Sequence, residues 1–104
     1  MIDAQGQPCY ANLMAEQILG KGAVALDGRG LAATYQAYRA GSDELYPHAD
    51  LPLIRALAGQ PQSASDIAIQ RPNGRLRLKV DAVPLIGSDG QVRYAIATFA
   101  AIEP

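Results

Sequence analysis

From Arg75 to Asp81 the chain alternates without a break: Leu76, Leu78, Val80 and Ala82 interleave with Arg75, Arg77, Lys79 and Asp81. A period of two sorts these residues onto opposite faces of a strand, one apolar row over a core and one charged row outward. Pro72-Asn73-Gly74 before this strand and Ser88-Asp89-Gly90 after it are turn signals, so its neighbours in sequence are expected beside it in space. Ala64 to Arg71, with Ile67 and Ile69 two apart, reads as the preceding strand, and Val92 to Ile102 as the following one. The last is apolar on both sides, with Val92, Tyr94, Ile96 and Thr98 on one face and Ala95, Ala97, Phe99 and Ala101 on the other. That pattern predicts a central strand with one face on the core and the other covered by a flanking helix or a partner chain. Ala95, Ala97 and Phe99 are the expected dimer face.

Upstream the punctuation changes. Asp3-Ala4-Gln5-Gly6 is a turn signal, followed by a short early strand over Pro8 to Ala11. Asn12 can cap a helix in which Met14 and Ile18, and Ala15 and Leu19, recur four apart until Gly20 stops it. Leu31, Tyr35 and Tyr38 recur at i, i+4 and i+7 and predict a second helix ending at Arg39 and Gly41. A third is expected with Asp50 as cap, Pro52 in the first turn, Leu53, Ile54, Leu57 and Ala58 as the buried stripe, and Gly59 as terminator. Helices grouped between strands, rather than alternating with them, give an α+β class with an antiparallel sheet.

A chain of 104 residues, 49% hydrophobic and 18% charged, suits one globular domain. Its net charge of -1 makes nucleic acid a poor partner. No apolar run approaches the roughly 18 to 20 residues of a membrane span, so no membrane contact is expected of these residues. The single cysteine, Cys9, cannot form an internal disulfide, which fits a reducing cytoplasm.

The segment from Ile2 to Gly20, with its Asp-x-x-Gly turn, Tyr10 before Asn12, and Leu19-Gly20 exit, resembles the opening of PAS sensory domains. Asp50 to Gly59 is similar to the helix before the third strand in PAS domains fused to bacterial histidine kinases and diguanylate cyclases. Arg71-Pro72-Asn73-Gly74-Arg75 and Val83-Pro84-Leu85 through Asp89-Gly90 match the later hairpins of that subgroup. The likeness spans nearly the whole chain, with two departures. Ala101-Ile102-Glu103 stands where the family often carries Asp-Ile-Thr, and the first strand is reduced to Met1 and Ile2, as if it began in a parent chain upstream. The resemblance implies a five-stranded antiparallel sheet with short helices on one face, a pocket between the layers, and dimerisation through the uncovered face. It also implies that residues 1–104 are a single sensory module of a larger signalling protein, relaying a signal to a fused kinase or cyclase.

The residues narrow the chemistry. Haem would need an axial ligand, and His48, the only histidine, falls in a loop before Asp50 rather than on an apolar stripe. Flavin photochemistry in this family uses a cysteine within Asn-Cys-Arg, whereas Cys9 sits beside Tyr10 in the early strand and reads as a buried small hydrophobe. One His and one Cys make no metal cluster. Asp43 and Glu44 read as a solvated pair. Gly20-Lys21-Gly22 and Gly28-Arg29-Gly30 read as loop glycines rather than phosphate cradles, and Arg75, Arg77 and Lys79 as an outward row. With no nucleophile, base and orienter together, the chain is not read as an enzyme. Tyr35 and Tyr38 are the candidate ligand contacts, lining a cavity with Leu53, Leu57, Leu78 and Val80. Two functions follow: a sensor of an unidentified small molecule, or a ligand-free module that dimerises its parent chain.

Overall fold

The computed structural model describes residues 1–24, 26 and 30–102. In chain order its elements are β1 (Ile2–Asp3), α1 (Leu13–Leu19), α2 (Gly30–Tyr35), β2 (Ala37–Arg39), a 3-10 turn at His48–Asp50, α3 (Pro52–Ala56), β3 (Gln62–Arg71), β4 (Gly74–Ile86) and β5 (Val92–Ala101). The five strands form one curled antiparallel sheet in the order β1-β5-β4-β3-β2. The class is α+β, as the grouping of elements predicts.

The alternation from Arg75 to Ala82 decides which face is inside. Leu78, Val80 and Ala82 are buried at 0%, 3% and 1% exposure, while Arg75, Arg77, Lys79 and Asp81 are exposed. Ile67 and Ile69 pair with Leu78 and Leu76 and join the same face. Ile2, Leu31, Tyr46, Leu51 and Ala56 complete the core from the edge strand and the helical layer. Each aliphatic side chain of leucine size buried this way contributes about 1.5–3 kcal/mol against exposure.

The antiparallel register also assigns the two rows of β5, and it corrects the expected dimer face. Val80 pairs with Phe99, Ala82 with Ala97 and Pro84 with Ala95, so these β5 residues share the inward face of β4. Ala95 is wholly buried, and Ala97 and Phe99 pack against the core. The outward row of β5 is Tyr94, Ile96, Thr98 and Ala100.

Local signals hold at α1 and yield elsewhere. Asn12 is the N-cap, its side-chain oxygen accepting from the Ala15 N–H at 2.8 Å, and Gly20 ends the helix in the left-handed region at φ 86°. Asp3 builds the first turn, its Oδ1 accepting from the N–H groups of Gln5 and Gln7. The early strand contracts to an isolated bridge between Ile2 and Pro8. Pro8 is half-buried there, Tyr10 touches the edge of the interior while standing 59% exposed, and Cys9 is exposed rather than buried.

Three helix expectations need correction. The second helix stops at Tyr35, because Gln36 takes a positive φ of 56° and turns the chain into β2. Tyr38 therefore lies on a strand, opposite Ala68. Leu51, not Asp50, is the N-cap of α3, and it makes no side-chain cap bond; Asp50 instead pairs with Arg39 at 3.1 Å. The buried residues of α3 are Pro52 and Ala56; Leu53, Ile54 and Leu57 are half-buried against the core, and Ala58 is exposed.

Candidate functional site

Small residues on the sheet and short helices above it leave a gap between the layers. The cavity measures about 280 Å³. Its floor is Ile67 and Ile69 of β3, Leu78 and Val80 of β4, and Ala97 and Phe99 of β5. Its roof comes from Ala15 and Leu19 of α1, Leu31, Ala32 and Tyr35 of α2, and Leu51, Pro52 and Leu53 around the start of α3. Pro8, Tyr10 and Asn12 close the side nearest the first turn.

Of the residues singled out in the sequence, Tyr35, Leu53, Leu78 and Val80 meet around this cavity. Leu57 packs against the core without lining it. Tyr38 faces away, because its partner Ala68 belongs to the opposite row of β3 from Ile67 and Ile69. There the Arg75 guanidinium stacks on its ring at 4.2 Å from the centroid. Sequence reasoning missed Phe99 and Ala97 as floor residues. Counting outward from the Ser88-Asp89-Gly90 turn would have set Thr98 opposite Val80; a register irregularity between Leu85 and Ile86 shifts the pairing by one residue and places Phe99 there instead.

The rim is polar and specifically tied. Tyr35 donates its hydroxyl hydrogen to the Gly22 carbonyl at 2.7 Å, and Lys21 Nζ donates to the Thr34 carbonyl at 3.0 Å. Burial holds the Tyr35 phenol above its ordinary pKa, with the Val24 backbone pulling the other way. The Arg71 guanidinium donates to the carbonyls of Gln17 and Ile18, which are orphaned at the end of α1. These ties fasten the end of α1 and residues 21–22 beside the cavity.

The other candidates lie apart from it. His48 is exposed on the 3-10 turn, Cys9 is exposed on the first hairpin, and no group of three or more His, Cys, Asp or Glu converges among the described residues. Asp43 and Glu44 are exposed, and Asp43 pairs with Arg75 at 2.8 Å. Arg77 donates to the Ser65 carbonyl, and Lys79 lies 3.8 Å from Asp81, so the basic row is spent on neighbours. Gly28, Arg29 and Glu103 lie outside the described residues. No helix among the described residues is long and apolar enough to cross a membrane.

Chemically, the cavity can enclose a small molecule; among the described residues no Asp, Glu, His, Lys or Cys side chain lines it. Compared with models of protein families, with curated proteins and with solved structures, the chain finds no match in any of the three.

Proposed function

We propose that this chain is a PAS-type regulatory domain that senses a small molecule in the cavity between sheet and helices and passes the occupied state to a fused output domain. The PAS likeness rests on the turn, cap and hairpin motifs from Asp3 to Gly90 and agrees with a five-stranded antiparallel sheet roofed by short helices. The observation that carries the sensory reading is the composition of the cavity floor. Ala97 and Phe99 are floor residues on β5, the last strand, so a bound molecule touches the element that leads out of the domain. A ligand signals only by its difference in affinity between two arrangements, and a hundredfold preference supplies about 2.7 kcal/mol of bias. A histidine kinase or diguanylate cyclase is the output that the motif subgroup suggests.

A second reading is favoured by the outward face. Val83, Leu85 and Tyr94 are exposed there at 45%, 39% and 40%, on the side of the sheet away from the cavity. A ligand-free module that dimerises its parent chain would cover them. One preparation separates the two. Denaturing extraction of purified protein followed by mass spectrometry, with light scattering across a concentration series, is expected to yield a stoichiometric small molecule. An empty protein whose mass doubles with concentration replaces sensing by scaffolding.

A further inference from the structure

The lining of the cavity narrows what it can hold. Filled to the density of a protein interior, near 0.75, a space of about 280 Å³ accepts a molecule of about ten to fifteen non-hydrogen atoms. Among the described residues no Asp, Glu, Lys, Arg or His side chain lines it. Met1 also lines the cavity, but its ammonium donates to the Tyr10 carbonyl at 2.8 Å on the exposed edge, so an ionised group carried inside would find no side-chain counter-charge, and the desolvation of such an ion costs several kcal/mol after relaxation. Apolar contact returns only about 25 cal/mol for each Å² removed from water, so a small charged molecule cannot recover that loss.

The polar atoms at the edge are largely committed. Asn12 Oδ1 holds the Ala15 N–H, and the Tyr35 hydroxyl hydrogen goes to the Gly22 carbonyl. Tyr10 stands 59% exposed, toward solvent. What they leave free, the Asn12 amide N–H groups and the acceptor lone pairs of the Tyr35 hydroxyl, suits a small neutral polar group on the ligand.

We infer that the cavity binds an uncharged, predominantly apolar molecule, an aromatic or branched hydrocarbon skeleton carrying at most one hydroxyl or carbonyl group. This rests on the cavity being the binding site proposed above. The apolar body lies on Leu78, Val80 and Phe99, and the polar group turns toward Tyr35.

The test uses 2-naphthol and 2-naphthoate, which share a ring system and differ in charge at neutral pH, titrated into the 104-residue protein. Amide shifts report the location and calorimetry the affinity. 2-Naphthol is expected to perturb Leu31, Leu78, Val80 and Ala97, with 2-naphthoate about a hundredfold weaker. Ala97→Phe, which fills the floor, is expected to weaken 2-naphthol about tenfold or more, and Ala32→Leu, filling from the roof, to do the same should the first variant fold poorly. Equal binding of both probes in the cavity overturns the inferred ligand class and leaves the binding site standing. Shifts confined to other surfaces, or no binding of either probe, overturn the class and the site together. If 2-naphthol fills the cavity yet leaves amide exchange along β5 unchanged at saturation, the class stands and the sensory reading falls.

Discussion

Leu78 and Val80 on β4 are buried at 0% and 3% exposure, whereas α1 has no buried residue, and Leu13 and Met14 on it stand 70% and 61% exposed. The sheet is held by apolar burial and by ladders that run from Gln62 to Ala101. On the α1 side the roof is held by a side-chain cap, one arginine and a tyrosine hydroxyl, whereas α2 and α3 anchor the rest of it by burying Leu31, Ala32, Pro52 and Ala56. Burial is distributed and non-directional, while polar ties are few and fail one at a time. The sheet and the α1 side of the roof should therefore respond differently to substitution, the sheet by losing global stability and α1 by opening locally.

Leu78→Ala should show the largest effect, a loss of about 3 kcal/mol in urea unfolding, because it removes a fully buried side chain from the centre of the floor. A loss under 1 kcal/mol would mean that the cavity already relaxes around this position and that burial does not distinguish the layers. Arg71→Met keeps the aliphatic stem and deletes the donors to Gln17 and Ile18. It should cost about 1.5 kcal/mol and accelerate amide exchange over residues 15–20, with exchange in β4 unchanged. Uniform acceleration would break the contrast. Asn12→Ala should cost about 1 kcal/mol, and Asn12→Ser should restore most of it, since either side chain can accept from an N–H in the first turn of α1.

The smallest effect is one of pH, at the far edge of the sheet. The Tyr46 phenol is pushed up to about 12 by burial and by the hydrogen bond it donates to Asp66 at 2.7 Å. The fold thus favours the protonated phenol. That contribution is complete below the ordinary value of 10 and is lost as pH rises from 10 through about 12. Tyr46→Phe should flatten the decline of thermal midpoint over that window and, because the hydrogen bond to Asp66 is fully formed below pH 10, cost about 0.5–1 kcal/mol at pH 7; an unchanged slope would locate the alkaline sensitivity elsewhere.

The same division governs what could be read from the residues. Alternation at 75–82 and the turns at Asn73-Gly74 and Asp89-Gly90 announced three strands, because strand period and turn chemistry are local. Asn12 and Gly20 marked the ends of α1 for the same reason. Tyr38 was misplaced because Leu31, Tyr35 and Tyr38 satisfy a helical period, and nothing in Gln36 signals the positive φ that breaks it. β2 is three residues long, and its existence is decided by pairing with Ile67–Ile69, a distant segment. Asp50 looked like a cap until Arg39, eleven positions away in sequence, claimed its carboxylate. Of the cavity, the bulky walls Tyr35, Leu53, Leu78 and Val80 were legible. The alanines that make it hollow were not, since a small side chain leaves no signature of the space beside it.

The register between β4 and β5 limits how movement can travel. From Leu78 opposite Ala101 to Leu85 opposite Tyr94, the inward residues Ala101, Phe99, Ala97 and Ala95 alternate with the outward Ala100, Thr98, Ile96 and Tyr94. A slide by one residue would drive Tyr94 and Ile96 into the hollow and expel Phe99 into water. The strand cannot act as a piston. Whatever mechanical change reaches Ile102, whose N–H is bonded to the Arg77 carbonyl, must arrive as tilt or as fraying of that last rung.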